Sequence, residues 1–531
     1  MMPVWMPESD DRASCCALLS PADLRMVPGA VCRLVPALFT RKLWRNQMRK
    51  KMVLPILAAL MVLALCAPAV AAGDYPQNGQ FIAHYDPEKV AGDSTPSENA
   101  GTTWYNEAAG TSASLVSAIT RAPDQYDWPQ FMYDPANTGN SPSTGLPTNN
   151  SSVAIFDDRE VIGTVNPVVG GDRIFIYTGY AGFGEPSGLD EIDLTCLFEE
   201  NMTIDWEQSF PRTQHLGSWG SPATDGIYAY GASDNLIRCI RIADNTTMWE
   251  FTTIGNAICN GGLTVTDDYV FGSDWYGHYY CLYKNNGTMK WVFDNTDTIW
   301  YDMTYSQSTP AFDPTEGTEG KIYVCGWGYD SNTTYSGFLY KVDVATGTEN
   351  WSRGVGTGYA ESFAGSASIA GDRVYVASYS FSSDGNLYVY DTNGTFITKR
   401  PIERTDATPS IDTVNGLVYV SGGWNGGIWG SAPPGVRCFR TDDYLTPVWN
   451  RTPMNGPEMG GWTCSVAIGD GYVFVGKESG DMNSFCYNTT YALNATTGAT
   501  VWSYPQGGAT AAIANGKVYT AGNDGKLYRF G

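Results

Sequence analysis

The amino-acid sequence predicts an all-β protein, an eight-bladed β-propeller made of four-stranded antiparallel blades. Three observations lead to this prediction. The composition combines 59 Gly and 13% aromatic residues with only 16% charged residues, which favours short strands joined by tight turns. A repeat of strand-forming segments recurs along most of the chain. The last copy of that repeat lacks one strand, and the sequence stops at Gly531.

The N-terminal region has the order of a secretory signal peptide. The basic segment 48–51 precedes an apolar run over 53–65, and small residues follow at 69–72. We therefore predict a signal peptide over residues 48–72, cleaved after Ala71 or Ala72. The apolar run is shorter than the ~20 residues that a membrane span requires.

Two further N-terminal segments show no repeat. Residues 1–47 precede a complete signal and are interpreted as an upstream extension from a misassigned start. Residues 73–126 are rich in Gly, Ser, Thr, Asn and Ala and are interpreted as an N-terminal arm or linker. The propeller is predicted to occupy residues 127–531.

Export would leave a strongly acidic chain. Residues 1–72 hold nine basic and four acidic residues, so the remaining chain has 23 basic and 51 acidic residues and a net charge of −28. Such a surface repels phosphate backbones, so the charge argues against a nucleic-acid partner.

Each complete copy of the repeat reads as four strands. An inner strand is followed by an alternating apolar strand, a third strand carrying Leu-Tyr, and a Thr-Gly turn into a strand that ends in Trp. A single sheet of this kind cannot bury both faces, so the copies must stack radially. The strand-end tryptophans are predicted to pack between neighbouring sheets: Trp206, Trp249, Trp291, Trp351, Trp449 and Trp502.

The incomplete last copy predicts how the ring closes. Segments 509–513, 517–520 and 526–530 supply three strands. The missing outer strand is predicted to be Val153–Phe156, near the other end of the repeat region. Seven complete copies and this composite give eight blades, and pairing the two termini removes exposed strand edges.

Cysteines and sequons fit an exported chain. Eight cysteines remain after residue 72, and the spacing permits bridges Cys239–Cys259 and Cys438–Cys464 between adjacent blades, although sequence alone does not fix connectivity. Asn-x-Ser/Thr sequons are candidate N-glycosylation sites, and they begin at Asn149, Asn150, Asn201, Asn245, Asn286, Asn332, Asn350, Asn393, Asn450, Asn488 and Asn494. A chain rich in Asn and Thr also produces such sequons by chance.

The repeat, together with the segment Trp128-Pro129-Gln130-Phe131, Asp134, Asn137-Thr138-Gly139 and Ser141, resembles quinoprotein-type (PQQ-like) propeller proteins. The resemblance covers roughly residues 127–531. It implies the propeller fold, but that family includes quinone- and calcium-dependent alcohol dehydrogenases, outer-membrane assembly scaffolds and exported proteins of unassigned role. The signal peptide, sequons and acidic charge are most similar to the last group.

Catalysis is not supported by the residues. The resemblance implies that the dehydrogenases hold the quinone under a vicinal disulfide and over a Trp, with calcium bound by Glu, Asn and Asp. Here the only adjacent cysteines are Cys15-Cys16, outside the propeller, and no catalytic or calcium-ligand motif matches. The sequence also has no G-x-S-x-G elbow, phosphate-binding loop or paired metal-ligand histidines. We therefore assign no catalytic, cofactor-binding or metal residues and expect no cofactor, with PQQ and calcium as the alternative.

A propeller brings two sets of loops to one face: those between the second and third strands and those between blades. On that face we predict a ligand-binding aromatic surface: Trp219, Trp275, Tyr276, Trp300, Tyr301, Trp327, Tyr329, Trp424, Trp429 and Trp462. Exposed aromatic clusters usually mark a partner or ligand. The alternative is that these rings fill the funnel and pack under neighbouring loops.

These inferences converge on one functional hypothesis. The chain is predicted to be secreted or held at the extracellular face of the cell envelope, where it acts without catalysis as a protein- or glycan-binding or assembly module. Its partner would be a cell-envelope protein, a glycan or a second copy. Two alternatives remain: a PQQ- and calcium-dependent oxidoreductase, and a structural subunit of a surface layer or filament.

Overall fold

A computed structural model of the chain describes its C-terminal region. The chain divides into two compact units, Met1–Ala67 and Pro68–Gly531, and every described residue belongs to the second. The predicted signal peptide and residues 73–122 of the predicted arm lie outside the described residues. The described ranges are 123–179, 192–210, 220–295, 304–328, 337–356, 361–380, 385–424, 432–478 and 487–531.

The described residues form eight antiparallel sheets, each with four strands that we call a to d from the innermost to the outermost. Blade 1 contains β3 (Val168–Gly170), β4 (Arg173–Gly179), β5 (Ile192–Phe198) and β6 (Ile204–Phe210). Blade 2 contains β7 (Ala223–Thr224), β8 (Tyr228–Ser233), β9 (Leu236–Arg241) and β10 (Thr246–Thr252). Blade 3 contains β11 (Thr264–Val265), β12 (Tyr269–Ser273), β13 (His278–Tyr283) and β14 (Met289–Asp294). Blade 4 contains β16 (Ala311–Asp313), β17 (Lys321–Gly328), β18 (Gly337–Asp343) and β19 (Glu349–Val355).

The second half of the ring repeats this order. Blade 5 contains β20 (Ser368–Ala370), β21 (Arg373–Ala377), β22 (Gly385–Asp391) and β23 (Phe396–Ile402). Blade 6 contains β24 (Ser410–Asp412), β25 (Leu417–Trp424), β26 (Ala432–Arg440) and β27 (Pro447–Arg451). Blade 7 contains β28 (Ala467–Gly469), β29 (Tyr472–Glu478), β30 (Tyr487–Asn494) and β31 (Thr500–Tyr504). Blade 8 contains β32 (Ala512–Ala514), β33 (Lys517–Ala521), β34 (Leu527–Phe530) and, as its outer strand, β2 (Val153–Phe156).

Three short elements lie outside these sets of four strands. Strand β1 (Asn140–Ser141) pairs in parallel with β28, and β15 (Thr304–Tyr305) pairs with β17. Among the described residues the only helical element is a 3₁₀ turn over Ile254–Asn256. The predicted all-β class and eight four-stranded blades are therefore confirmed.

The ring closes as predicted. Strand β2 pairs antiparallel with β34, with Val153 opposite Phe530 and Phe156 opposite Leu527. The two ends of the repeat region thus share one blade, and the last blade presents no unpaired strand edge at this position.

Strand-end tryptophans join six of the eight blades to the segment that follows. The six predicted residues lie on d strands, and each indole N–H donates to a carbonyl outside its own blade. These bonds are Trp206–Ile242, Trp249–Lys284, Trp291–Val344, Trp351–Thr392, Trp449–Ala495 and Trp502–Pro147, with N···O distances of 2.8–3.1 Å. The prediction that these rings pack between sheets is confirmed, because each ring fills apolar space and also satisfies a turn carbonyl.

The suggested disulfides are not formed. All seven cysteines among the described residues are buried free thiols, including Cys239, Cys259, Cys438 and Cys464. The repeat explains why four of the seven are buried. Cys196, Cys239, Cys281 and Cys438 each lie on a c strand directly opposite the d-strand tryptophan. The same position of blade 7 is Ala492, opposite Trp502. Because alanine can take this place, these four cysteines act as small packing residues.

Candidate functional site

The propeller has two distinct faces. The a–b and c–d turns emerge on one face, which we call the turn face. The b–c loops and the d–a loops between blades emerge on the other, which we call the loop face. The two faces differ in how the chain fills the axial channel, and this difference locates the candidate site.

The channel end at the turn face is occupied by residues 126–143, which we call the inner segment. This segment accepts hydrogen bonds from the a strand, or from the turn after it, in every blade. Its acceptors are Trp128 O, Pro129 O, Gln130 Oε1, Pro135 O, Ala136 O, Thr138 O, Gly139 O and, in blade 8, Tyr126 O and Ser143 Oγ. The matching donors are the N–H groups of Val169, Thr224, Val265, Phe312, Ile369, Ile411, Ile468, Asn515 and Gly516, at 2.6–3.0 Å. The inner segment thereby bonds all eight blades at the turn face.

At the loop face, one repeat position lies in the loop between blades, four residues before each a strand, and we call its described residues the axial ring. They are Thr164, Asn260, Gln307, Ala364, Asp406, Thr463 and Gly508. The residue at this sequence position before blade 2, Trp219, lies outside the described residues and is not counted in the ring. The ring contains one carboxyl and two amide side chains, and no basic side chain.

Three members of the axial ring form a hydrogen-bonded chain across it. Asn260 Nδ2 donates to Gln307 Oε1 at 3.4 Å, and Gln307 Nε2 donates to Asp406 Oδ2 at 3.2 Å. Blade 5 has the small residue Ala364 at this position, so Gln307 of blade 4 can reach Asp406 of blade 6. The chain therefore links blades 3, 4 and 6 directly.

Burial strongly perturbs the pKa of the Asp406 carboxyl. Burial raises its pKa to about 8, an effect that the hydrogen bond from Gln307 only partly offsets. Asp406 Oδ1 is itself buried and accepts no hydrogen bond from any described residue. Most copies of this carboxyl are consequently protonated at neutral pH in the unliganded protein.

An aromatic cluster borders the axial ring on the side of blades 4 to 7. It consists of Trp327, Tyr379, Trp424 and Trp462. Ring centroids lie 5.9 Å apart for Trp327–Tyr379, 5.4 Å for Tyr379–Trp462 and 5.2 Å for Trp424–Trp462. The Asp406 N–H donates to Trp462 O at 3.1 Å, which joins the cluster to the ring. The cluster thus forms one wall of the approach to the axis.

The guanidinium of Arg404 lies over this wall. Its central carbon is 5.2 Å from the Trp462 ring centroid, within the range of a cation–π contact. Trp424 and Trp462 are buried, and Trp327 is partly buried. The cluster is therefore preorganised by its own packing.

A second aromatic pair stands beside Asn260 in blade 3. The backbone N–H of Trp275 donates to Ile258 O at 2.8 Å, and the side chain of Tyr276 is exposed, with 55% of the residue accessible to solvent. Buried Asp274 holds this loop, since its Oδ1 accepts the Tyr276 N–H at 2.8 Å and its Oδ2 pairs with His278 Nδ1 at 2.7 Å. Burial alone would lower the pKa of His278, but the nearby Asp274 and Asp294 carboxylates outweigh it and raise that pKa. His278 thus acts as a positioning group for the loop.

The structure describes five of the ten residues of the predicted aromatic surface. Trp275, Tyr276, Trp327, Trp424 and Trp462 are described, and all five lie at the loop face. Trp219, Trp300, Tyr301, Tyr329 and Trp429 lie outside the described residues. Because Trp424 and Trp462 are buried while Tyr276 is exposed, the five serve different purposes: some build the wall and one presents a ring to solvent.

Sequence reasoning missed Tyr379 and the polar axial ring. Tyr379 stands four residues after Tyr375, just as Trp327 stands four residues after Tyr323, so aligning the b strands would have found it. The ring residues Asn260, Gln307 and Asp406 carry no common residue type. Their shared position becomes visible only when the first residue of each a strand is known.

Five of the ten described candidate glycosylation sites lie at the turn face. Asn201, Asn245, Asn286, Asn393 and Asn494 lie at or beside c–d turns. Asn149, Asn150, Asn350, Asn450 and Asn488 are described elsewhere on the propeller, and Asn332 lies outside the described residues.

The quinone site that the resemblance implies combines a vicinal disulfide with Glu, Asn and Asp as calcium ligands. The axial ring holds Asn260 and Asp406 but no Glu. Within the described ranges, no group of three His, Cys, Asp or Glu side chains could hold a metal ion. Cys15-Cys16, the only adjacent cysteine pair of the sequence, lies outside the described residues.

Comparison with known proteins supports the recognition of the repeat. Residues 233–462 match the family described as outer membrane protein assembly factor BamB. A search of the curated proteins finds no match. No helix within the described residues is long and apolar enough to span a membrane.

Solved structures with the same fold belong to proteins of different function. The quinohemoprotein alcohol dehydrogenase of Comamonas testosteroni is 15% identical with a TM-score of 0.56, over 78% of this chain and 82% of that one. A europium-containing methanol dehydrogenase is 13% identical with a TM-score of 0.55, over 76% and 90%. BamB from Moraxella catarrhalis is 14% identical with a TM-score of 0.49, over 72% and 98%. At these identities the similarity establishes the quinoprotein-type propeller fold alone.

Proposed function

We propose that this chain is an exported, non-catalytic module of the cell envelope that binds a partner protein through its loop face and takes part in assembly. The observation that carries the proposal is the asymmetry of the two faces. At the turn face, the inner segment already bonds all eight blades. At the loop face, aromatic residues from blades 3 to 7 surround a polar axial ring.

The family comparison supports a protein partner over a glycan. The matched family is described as an outer membrane protein assembly factor, and the match spans the two outer strands of blade 2 and all of blades 3 to 6. These blades supply Asn260, Gln307 and Asp406 as well as most of the aromatic residues. An assembly role uses the loop face for binding and requires no cofactor.

Site-specific photo-crosslinking tests the proposal. A photoreactive phenylalanine analogue replaces Tyr276, 55% exposed at the loop face, and in a control variant it replaces Tyr444, 71% exposed in a c–d turn of blade 6. In cells that export the protein, we expect a crosslink to one envelope protein from position 276 and not from position 444. Equal crosslinking from both positions, or none from position 276, would contradict the proposal.

The alternative functions predict different outcomes of the crosslinking experiment. A crosslink only to a second copy of the chain would identify a structural subunit, and a crosslink only to a glycan would replace the protein partner. Calorimetric titration with PQQ and calcium is expected to show no binding. Tight one-to-one binding of PQQ would instead indicate an oxidoreductase.

A further inference from the structure

Three oxygen atoms of the axial ring lack the hydrogen bonds that buried polar atoms normally make. They are Thr164 Oγ1, Asn260 Oδ1 and Asp406 Oδ1, and each is buried without a partner among the described residues. Asn260 is only 5% exposed. Buried polar groups in proteins are almost always paired. Unpaired buried side-chain atoms also occur elsewhere among the described residues, but these three share one repeat position, and two of them belong to residues of the same hydrogen-bonded chain.

The chemistry of these atoms defines what the partner must offer. The amide oxygen of Asn260 and an ionised Asp406 carboxylate can only accept hydrogen bonds, so the partner must donate them. Asn260 and Asp406 lie at the two ends of the hydrogen-bonded chain through Gln307. The axial ring contains no basic side chain, and the exported chain would carry a net charge of −28. A positively charged donor is therefore favoured over a neutral one.

We propose that the axial ring binds a primary ammonium group, presented by a lysine side chain of the partner protein. An ammonium group brings three N–H donors and one positive charge on a thin apolar stem. The stem would pass the aromatic cluster, whose ring Trp462 already accommodates the Arg404 guanidinium. This proposal rests on the proposed function, because it names the group by which the partner enters the loop face.

Protonation of Asp406 links this binding to pH. The hydrogen bond that the Asp406 carboxyl accepts from a described side chain comes from the neutral amide of Gln307, and the charged Arg404, two residues earlier in sequence, lies over Trp462. Because burial raises the Asp406 pKa to about 8, an ammonium ligand must displace a proton at neutral pH. Affinity should therefore rise about tenfold between pH 6 and pH 7 and level off above pH 8, while the ammonium stays charged up to its own pKa near 10.

Calorimetric titration of the chain from Gly73 onward with n-butylammonium chloride tests the site, in phosphate and HEPES buffers. We expect one site, and a proton released at pH 7 that makes the measured heat depend on the buffer. Asp406→Asn should weaken binding at least tenfold and abolish the pH dependence, and Asn260→Ala should weaken it several-fold. Asp372→Asn, which removes an exposed carboxylate at a turn, should change neither property.

Several results would overturn the proposal. They are undetectable butylammonium binding, equal binding of n-butanol or calcium, or an Asp406→Asn variant that folds normally and keeps both affinity and pH dependence. None of these results would affect the crosslink from position 276, so failure of this site and failure of the proposed function remain distinguishable.

Peptides separate a lysine side chain from a free amine. A short peptide with one internal lysine should bind at least as tightly as butylammonium, and the same peptide with norleucine in place of lysine should not bind. Binding of butylammonium alone would overturn the assignment to a protein side chain and indicate a small free amine.

Discussion

In four c–d turns, a glycine and the tryptophan of the preceding blade form a single packing unit. Positive φ angles of 66–80° at Gly287, Gly347, Gly394 and Gly498 place these turns in the left-handed region. A Cβ atom added to any of them would approach an indole ring within 2.4–2.8 Å, in Trp249, Trp291, Trp351 and Trp449 respectively. The sequence repeat therefore keeps Gly and Trp together because each requires the other.

Replacement of one such glycine should show this coupling. Gly347→Ala adds a Cβ 2.6 Å from Trp291 at a φ of +71°, so backbone strain of about 1–2 kcal/mol combines with overpacking of about 1–3 kcal/mol. The control Gly371→Ala has a similar φ of +60° but no atom within 4 Å of the added Cβ. Denaturant unfolding should therefore find Gly347→Ala the less stable variant. Equal losses of unfolding free energy would show that the tryptophan contact adds nothing.

At the residue scale, the sequence predicts the role of residues that recur in every copy of the repeat better than that of residues found in one blade. The strand-end tryptophans recur at the repeat period, so their burial between blades followed from spacing alone. Asp406 does not recur, since its counterparts in neighbouring blades are Ala364 and Thr463. Its raised pKa comes from burial at the axis, and the sequence gives no sign of that burial.

Among the elements, the outer strand of blade 8 was predictable and the inner segment was not. Counting strands in the last copy of the repeat required one more, and Val153–Phe156 fills that place. The inner segment bonds the blades mostly through backbone carbonyls, which every sequence possesses. Its residues consequently have no periodicity from which this contact could be predicted.

The c–d turns divide the sequons into accessible and inaccessible sites. Asn286 is exposed, its Oδ1 accepts the N–H and O–H of Thr288, and its Nδ2 donates to no described residue. Asn245 occupies the equivalent turn of blade 2, but its Nδ2 donates to Glu207 O at 3.2 Å and its Oδ1 is buried. A glycan on Nδ2 fits the first site and would break the packing of the second.

We therefore expect N-glycans on Asn286 and none on Asn245 when a glycosylating host exports the protein. Mass spectrometry of glycopeptides measures occupancy at both positions in one sample. Thr288→Ala removes the sequon and should abolish the modification at Asn286 alone. Equal occupancy of the two asparagines would refute the argument from accessibility, and an unmodified Asn286 would refute the site itself.

At the scale of the whole propeller, closure of the ring brings residues from separate repeats onto one face. The sequence predicts that the b–c and d–a loops share one face, and this topology brings together Trp327, Tyr379, Trp424 and Trp462 from four blades. Which rings are buried and which exposed depends on contacts between blades that are far apart in sequence. The eight blades and their closure could therefore be predicted, whereas the inner segment could not, and the composition of the loop face could be predicted only in part.

Charge is the other property that belongs to the whole molecule. Residues 73–531 carry a net charge of −28, so their carboxylates repel one another in the compact state, and this repulsion destabilises the fold. Raising NaCl from 0.1 to 1 M shortens the screening length from about 10 to about 3 Å, so the melting temperature at pH 7 should rise by several degrees. The matched measurement at about pH 4 should show a much smaller rise, because about half of the 51 acidic side chains are then protonated and the remaining charge nearly balances the 23 basic ones. An equal rise at both pH values would mean that the salt acts through surface exclusion and not through charge.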